Sequence, residues 1–190
     1  MEKKYELTDE ILEVGGHVLR RIKALRDFGD VRKGDIGGWI ENEDNLSHDD
    51  DCWVYDNATV WDNAIIRDNA TVRDNATVRD NATVWDNATV WDNATVRDNA
   101  TVCDNATVRG DATVRGDAEV ENESDYIVFK NWWSSGRYFT WTRSNDMWSV
   151  GCFYGTGEEL IKKAYNDSDE SGREYKRIVK YVESIKQELK

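Results

Sequence analysis

The sequence predicts a mainly β protein, in which a β-solenoid rod is flanked by a β-rich N-terminal cap and an α+β C-terminal unit. From Val54 to Val120 the chain repeats every six residues as V-(R/W)-D-N-A-T, as in Val72-Arg73-Asp74-Asn75-Ala76-Thr77. A strand alternates every two residues and a helix every three to four, so a period of six points to stacked coils. The second observation is the pair of segments around Gly15-Gly16 that precede the repeat. The third is the aromatic-rich stretch after it, which gives way to helical patterns. The expected organisation is therefore 1–53 as cap and entry coil, 54–123 as the repeat, and 124–190 as the C-terminal domain.

Bulk properties narrow the function classes. The 190 residues carry a net charge of −13, with almost all of the acid excess in residues 1–120. Phosphate-backbone binding needs clustered Lys and Arg, so direct nucleic-acid binding is not expected. No run of eighteen apolar residues suggests a membrane span, and the N-terminus has no apolar signal core. Cys52, Cys103 and Cys152 are widely spaced and form no CxxC pair, which fits a reducing cytoplasm and neither a disulfide framework nor a zinc site. No metal or cofactor is expected.

In the cap, Lys4–Leu7 and Val18–Arg26 read as strands joined through Gly15-Gly16; the periodicity of the second also allows a helix. Gly37-Gly38 precede Trp39-Ile40 and permit a tight entry into the first coil. Neither GxGxxG nor GxxxxGK is present, so these glycines do not suggest a phosphate cradle. Ile40 and Leu46 are six apart, but the phase resumes at Val54 rather than Cys52, which places a two-residue insertion around His48–Asp51. The stretch Leu25-Arg-Asp-Phe-Gly-Asp-Val, with Gly37-Gly38-Trp39-Ile40-Glu41 and Asn45-Leu46-Ser47, resembles the N-terminus of bacterial and prophage-encoded YdcK-like hexapeptide proteins. That resemblance implies a fold and a prokaryotic or phage source rather than an activity.

In the repeat, the inward aliphatics run every six residues from Val54 through Ile66 to Val120, and Ala58 through Ala118 fill the corners. Asp-Asn suits the left-handed and Asx-turn conformations of tight bends. The pattern resembles the hexapeptide-repeat, left-handed parallel β-helix proteins, in which three hexads make one triangular coil. The resemblance implies about four coils for the twelve hexads. It also implies that every third hexad stacks, so the residues after the aliphatics form columns. These are Tyr55, Arg73, Trp91 and Arg109; Trp61, Arg79, Arg97 and Arg115; and Arg67, Trp85, Cys103 and Glu121.

Two readings of these columns compete. Arg offsets the stacked carboxylates while Trp and Thr shield the ladder, or Trp and Arg form a binding face, since both are enriched at interface hot spots. Hexapeptide acyltransferases place a His on the coil or on a loop protruding from it, whereas here His17 and His48 both precede the repeat. The β-helix carbonic anhydrases need several His ligands. No catalytic residue is therefore expected in the repeat.

The C-terminal segment reads as three strands, Tyr126–Lys130, Arg137–Arg143 and Met147–Phe153, followed by two helices. Thr156-Gly157-Glu158-Glu159 is a capping box, and Tyr175, Ile178, Val179, Val182 and Ile185 form one apolar stripe. Its aromatics are either core or a ligand or partner site in which Trp132, Trp133, Arg137, Tyr138, Trp141 and Arg143 offer stacking faces and guanidinium groups. Cys152 reads as a buried strand residue.

These observations favour a non-enzymatic macromolecular binding protein with a protein partner. Its most concrete form is a phage-encoded inhibitor of a host defence or nucleic-acid protein. Two alternatives stay open: self-assembly through the solenoid faces into a homo-oligomer, and a small-molecule or enzymatic site in the aromatic C-terminal domain.

Overall fold

The computed structural model describes residues 2–188, which form two compact units that meet between Asp125 and Tyr126 in the chain. In the first unit, β1 (Tyr5–Val14) and β2 (His17–Ala24) form an antiparallel hairpin turning at Gly15-Gly16. The second segment is thus a strand, and the first runs seven residues beyond Leu7. Strand β2 pairs with β3 (Ile36–Ile40), which continues directly into the solenoid.

The repeat folds as twelve two-residue strands, β4–β15, one per hexad. They are Trp53–Val54, Thr59–Val60, Ile65–Ile66, Thr71–Val72, Thr77–Val78, Thr83–Val84, Thr89–Val90, Thr95–Val96, Thr101–Val102, Thr107–Val108, Thr113–Val114 and Glu119–Val120. Every third strand pairs in parallel, in the orders β5-β8-β11-β14, β4-β7-β10-β13 and β6-β9-β12-β15. The inward Val or Ile of each strand and the corner Ala are essentially inaccessible, so the interior is a narrow column of aliphatic and methyl groups.

The six-residue period has a backbone cause. Asp56, Asp62, Asp68 and their successors through Asp104 hold φ between 52° and 62°, the left-handed region that turns the chain at each corner. Where the sequence changes to Arg-Gly-Asp, Gly110 and Gly116 take the same position at φ 68° and 69°. The carboxylates of Asp56, Asp62, Asp68, Asp74, Asp80, Asp92 and Asp98 also bond to the next coil. The Asp80 N–H donates to Asp62 Oδ2 at 3.3 Å, the Asp98 N–H to Asp80 Oδ2 at 3.2 Å, and the Gly116 N–H to Asp98 Oδ2 at 3.1 Å. The Asp ladder is therefore satisfied chiefly by backbone donors.

The twelve hexads account for four coils, and the entry segment adds another, giving about five. Ile40 pairs with Val60 and Leu46 bridges to Ile66, each twenty residues on, whereas Val54 pairs with Val72, eighteen on. The difference is the two-residue insertion between Leu46 and Val54. It is clamped by Lys4, whose Nζ donates to the carbonyls of Asp49 (3.1 Å), Asp50 (3.3 Å) and Cys52 (2.9 Å). Burial pushes the Lys4 pKa down, and those carbonyls replace the water it has lost. The role of Gly37 is close approach: an added Cβ would lie 2.6 Å from both Ile22 Cγ1 and the Val54 carbonyl.

The second unit has four strands, not three: β16 (Tyr126–Lys130), β17 (Tyr138–Thr142), β18 (Met147–Val150) and β19 (Phe153–Gly155), in an antiparallel meander. Gly151 at φ 56° reverses the chain between the last two, so Cys152 lies exposed in a turn rather than buried in a strand. Helices α1 (Gly157–Asp167) and α2 (Asp169–Glu188) follow, and Thr156 and Glu159 form the capping box. Phe139, Trp141, Trp148, Val150, Leu160, Ala164, Tyr175, Val179 and Val182 make the core. None of the described helices is long and apolar enough to cross a membrane.

Candidate functional site

Stacking brings the expected columns together, and each of Trp61, Trp85 and Trp91 meets an Arg of an adjacent coil. The Arg67 guanidinium lies 4.3 Å from the Trp85 ring centre and that of Arg79 lies 5.2 Å from Trp61. Trp91 has Arg73 at 4.8 Å and Arg109 at 5.8 Å. Tyr55 begins the Trp91 column, and burial raises its pKa. Arg79 also pairs with Asp80 at 3.0 Å, while Arg97 and Arg115 face Asp98 at 3.9 and 3.5 Å. The indoles are half-buried against cations of the same rod, so much of their stacking surface is used internally.

One cluster on this rod has no counterpart in the sequence pattern. The β1–β2 hairpin returns His17 to the solenoid, where its ring lies 4.5 Å from that of Trp61. His17 Nδ1 is 2.9 Å from Glu41 Oε1 and Nε2 is 3.6 Å from Asp62 Oδ1. The hydrogen bond with Glu41 raises the His17 pKa against the effect of desolvation, and Asp62 and Asp80 add to the rise. Desolvation raises the Glu41 pKa, but the bonds with His17 and with the Asp62 N–H outweigh it and leave it lowered. The repeat itself has no histidine, yet folding supplies one to its face. The available signal was Gly15-Gly16, a reversal that pairs Val14 with His17 and carries β2 back along β3.

A second His/Cys/Asp/Glu group, Cys103 with Glu119 and Glu121, lies at the other end of the coil stack. Burial, with Asp104 and both glutamates, pushes the Cys103 thiol up to about 11.

In the second unit the expected aromatic set divides. Trp141 is core at 1% exposure, and its Nε1–H donates to Asp146 Oδ1 at 2.8 Å. The expectation that it offers a stacking face is thus corrected: β17 is the second strand of the meander, and Trp141 faces the helices. Trp132 and Trp133 stand out at 73% and 75% exposure, and Arg137, Tyr138 and Arg143 are also exposed. The loop carrying the two tryptophans is fixed from below by buried Asn131. Its Oδ1 accepts from the N–H groups of Trp133 (3.1 Å) and Ser134 (3.2 Å), and its Nδ2 donates to Ser134 Oγ at 2.9 Å. Lys130 Nζ lies 5.1 Å from the Trp132 ring centre and 3.8 Å from that of Tyr138. A cavity of about 280 Å³ also opens in this unit, lined by Trp141, Trp148, Asp146, Glu183 and Lys186 among others; Trp132, Trp133, Arg137, Tyr138 and Arg143 do not line it.

The six-residue register, parallel ladders and left-handed Asp corners fit a hexapeptide-repeat β-helix. Local similarity agrees: over 39 residues the chain is 49% identical to YdcK of Escherichia coli strain K12, described as an uncharacterized acetyltransferase. The match spans 20% of this chain and 12% of that protein. No family model matches the chain.

Proposed function

We propose that this protein is a non-enzymatic binding protein that engages a protein partner through the Trp132–Trp133 tip. The observation that carries this reading is the pair of adjacent indoles, each about three-quarters exposed, on a loop braced by Asn131. Large aromatics left in solvent are uncommon on monomers, and Trp is among the residues most enriched at hot spots. Bracing the loop beforehand reduces the ordering cost of binding. The charge of −13 favours a protein over a nucleic-acid partner. The solenoid columns, with indoles and guanidiniums stacked on each other, contribute rigidity in this reading.

The test is affinity capture from nuclease-treated bacterial lysate, with Trp132→Ser/Trp133→Ser and Trp91→Ser as parallel baits. A stoichiometric protein retained by Trp91→Ser and absent from the double variant supports the tip as the contact. Capture that survives the double variant, or is lost only with Trp91→Ser, rules the tip out. Sedimentation over a range of concentrations distinguishes a second copy of the chain as the partner.

A second reading is acyl transfer, favoured by the name of the E. coli relative and by an imidazole held by a carboxylate at the coil face, His17 with Glu41. Consumption of acetyl-CoA in the presence of candidate amine or hydroxyl acceptors, lost in His17→Gln, would support it.

A further inference from the structure

We infer that His17, Glu41 and Asp62 form a site for one divalent transition-metal cation of the Zn²⁺ class. Three elements meet there: the hairpin tip, the residue following β3 and the corner after β5. One ligand-type atom from each residue lies within 4.8 Å of the others. The 3.6 Å between His17 Nε2 and Asp62 Oδ1 is too long for a good hydrogen bond. It is the separation expected of two ligands sharing one ion at about 2.0–2.2 Å each.

The carboxylates are oriented for this. Glu41 Oε2 accepts the Asp62 N–H at 2.7 Å and Asp62 Oδ2 accepts the Asp80 N–H at 3.3 Å. Those bonds leave Glu41 Oε1 and Asp62 Oδ1 directed to the ring. Trp61 packs on the imidazole and restricts its rotation. In this arrangement His17 Nε2 and Asp62 Oδ1 bind the ion. The His17 Nδ1–H donates to Glu41 Oε1, the carboxylate–histidine–metal relay that orients a ligating ring.

Charge and access point the same way. Glu41, Asp62 and Asp80 surround one imidazole, and the Arg79 guanidinium, which lies over Trp61, is paired with Asp80. The side chains of His17, Glu41 and Asp62 remain 27–30% exposed, so water can complete the shell. An imidazole with carboxylate oxygen selects Zn²⁺, Ni²⁺ or Co²⁺ over Mg²⁺ or Ca²⁺. An imidazole bound to a cation has no lone pair for a proton, so this site and acyl-transfer chemistry exclude each other at His17. The inference does not depend on the Trp132–Trp133 reading.

The experiment is calorimetric titration of the chelator-treated full chain with ZnCl₂. The variants are His17→Gln, Asp62→Asn and Glu41→Gln, with His48→Gln as control and circular dichroism to verify folding. The expected result is one equivalent bound by wild type and His48→Gln, at least tenfold weaker binding in Glu41→Gln, and loss in the other two. Absence of binding to wild type, or binding to His17→Gln and Asp62→Asn equal to wild type, overturns the site. Should the variants misfold, long-range ¹H–¹⁵N spectra of wild type decide. A Zn²⁺-induced change at His17 Nε2 supports the site, and a change confined to His48 overturns it.

Discussion

Arg67 and Trp85 stand eighteen residues apart in the chain and one coil apart in the rod, with the guanidinium 4.3 Å from the centre of the indole ring. The same exchange of cation and π face recurs at Arg73–Trp91 and Arg79–Trp61. In each of these pairs the indole covers one face of the guanidinium and links successive coils. Where Arg79, Arg97 and Arg115 follow one another, Asp80 and Asp98 offset their charge.

Trp91, with a guanidinium from the coil on either side, should matter more to stability than Trp85. Each partly exposed cation–π contact is worth about 0.5–1 kcal/mol. Trp91→Ser should therefore cost about 1–2 kcal/mol in these contacts and Trp85→Ser about half that. Urea unfolding monitored by circular dichroism gives the comparison; equal losses would refute the stacking account.

The corner Asp residues should be replaceable by Asn or Gly but not by a β-branched residue. Asp74 sits at φ 60° and its Oδ2 accepts the Asp92 N–H at 3.3 Å. Asp74→Val should cost about 2–3 kcal/mol, combining left-handed strain of about 1–2 with a lost hydrogen bond of about 1. Asp74→Asn retains an acceptor and the left-handed preference, so it should cost less than about 1 kcal/mol. Melting temperatures of the two variants decide this.

Tyr5 gives a pH signature. Its buried hydroxyl donates to the Leu46 carbonyl at 2.8 Å, and burial, then the neighbouring Glu43, raises its pKa above the usual 10.0. The unfolded phenol ionises first, so the contribution of Tyr5 is complete below pH 10.0 and declines as pH rises beyond it. The stability gap between wild type and Tyr5→Phe should narrow above that pH in parallel denaturant titrations. A constant gap would contradict the assignment.

The aromatic residues of the second unit should fall into two groups. Trp132→Ser and Trp133→Ser should leave stability within about 0.5 kcal/mol, as surface changes do. Trp148→Ala, at a site only 2% exposed, should cost about 3–5 kcal/mol. Thermal unfolding of each single variant tests the division.

How much was legible in the sequence depended on range. The six-residue phase identified the inward Val54–Val120 series, the Ala corners and the insertion before Val54, because each coil repeats one local set of backbone angles. The Thr156–Glu159 cap and the Val179–Val182 stripe were equally local. The fourth C-terminal strand was missed because its turn depends on one positive-φ residue, Gly151, inside an apolar run.

The sequence by itself determined the solenoid, since a period of six fixes both the corner geometry and the core. Only the tertiary structure decided which aromatics are core, placing Trp141 inside and Trp132 and Trp133 outside. It alone also brought His17, Glu41 and Asp62 together. The physical reason is that strand pairing joins residues by the path of the hairpin and the pitch of the coil. Neither distance is a period that the sequence repeats.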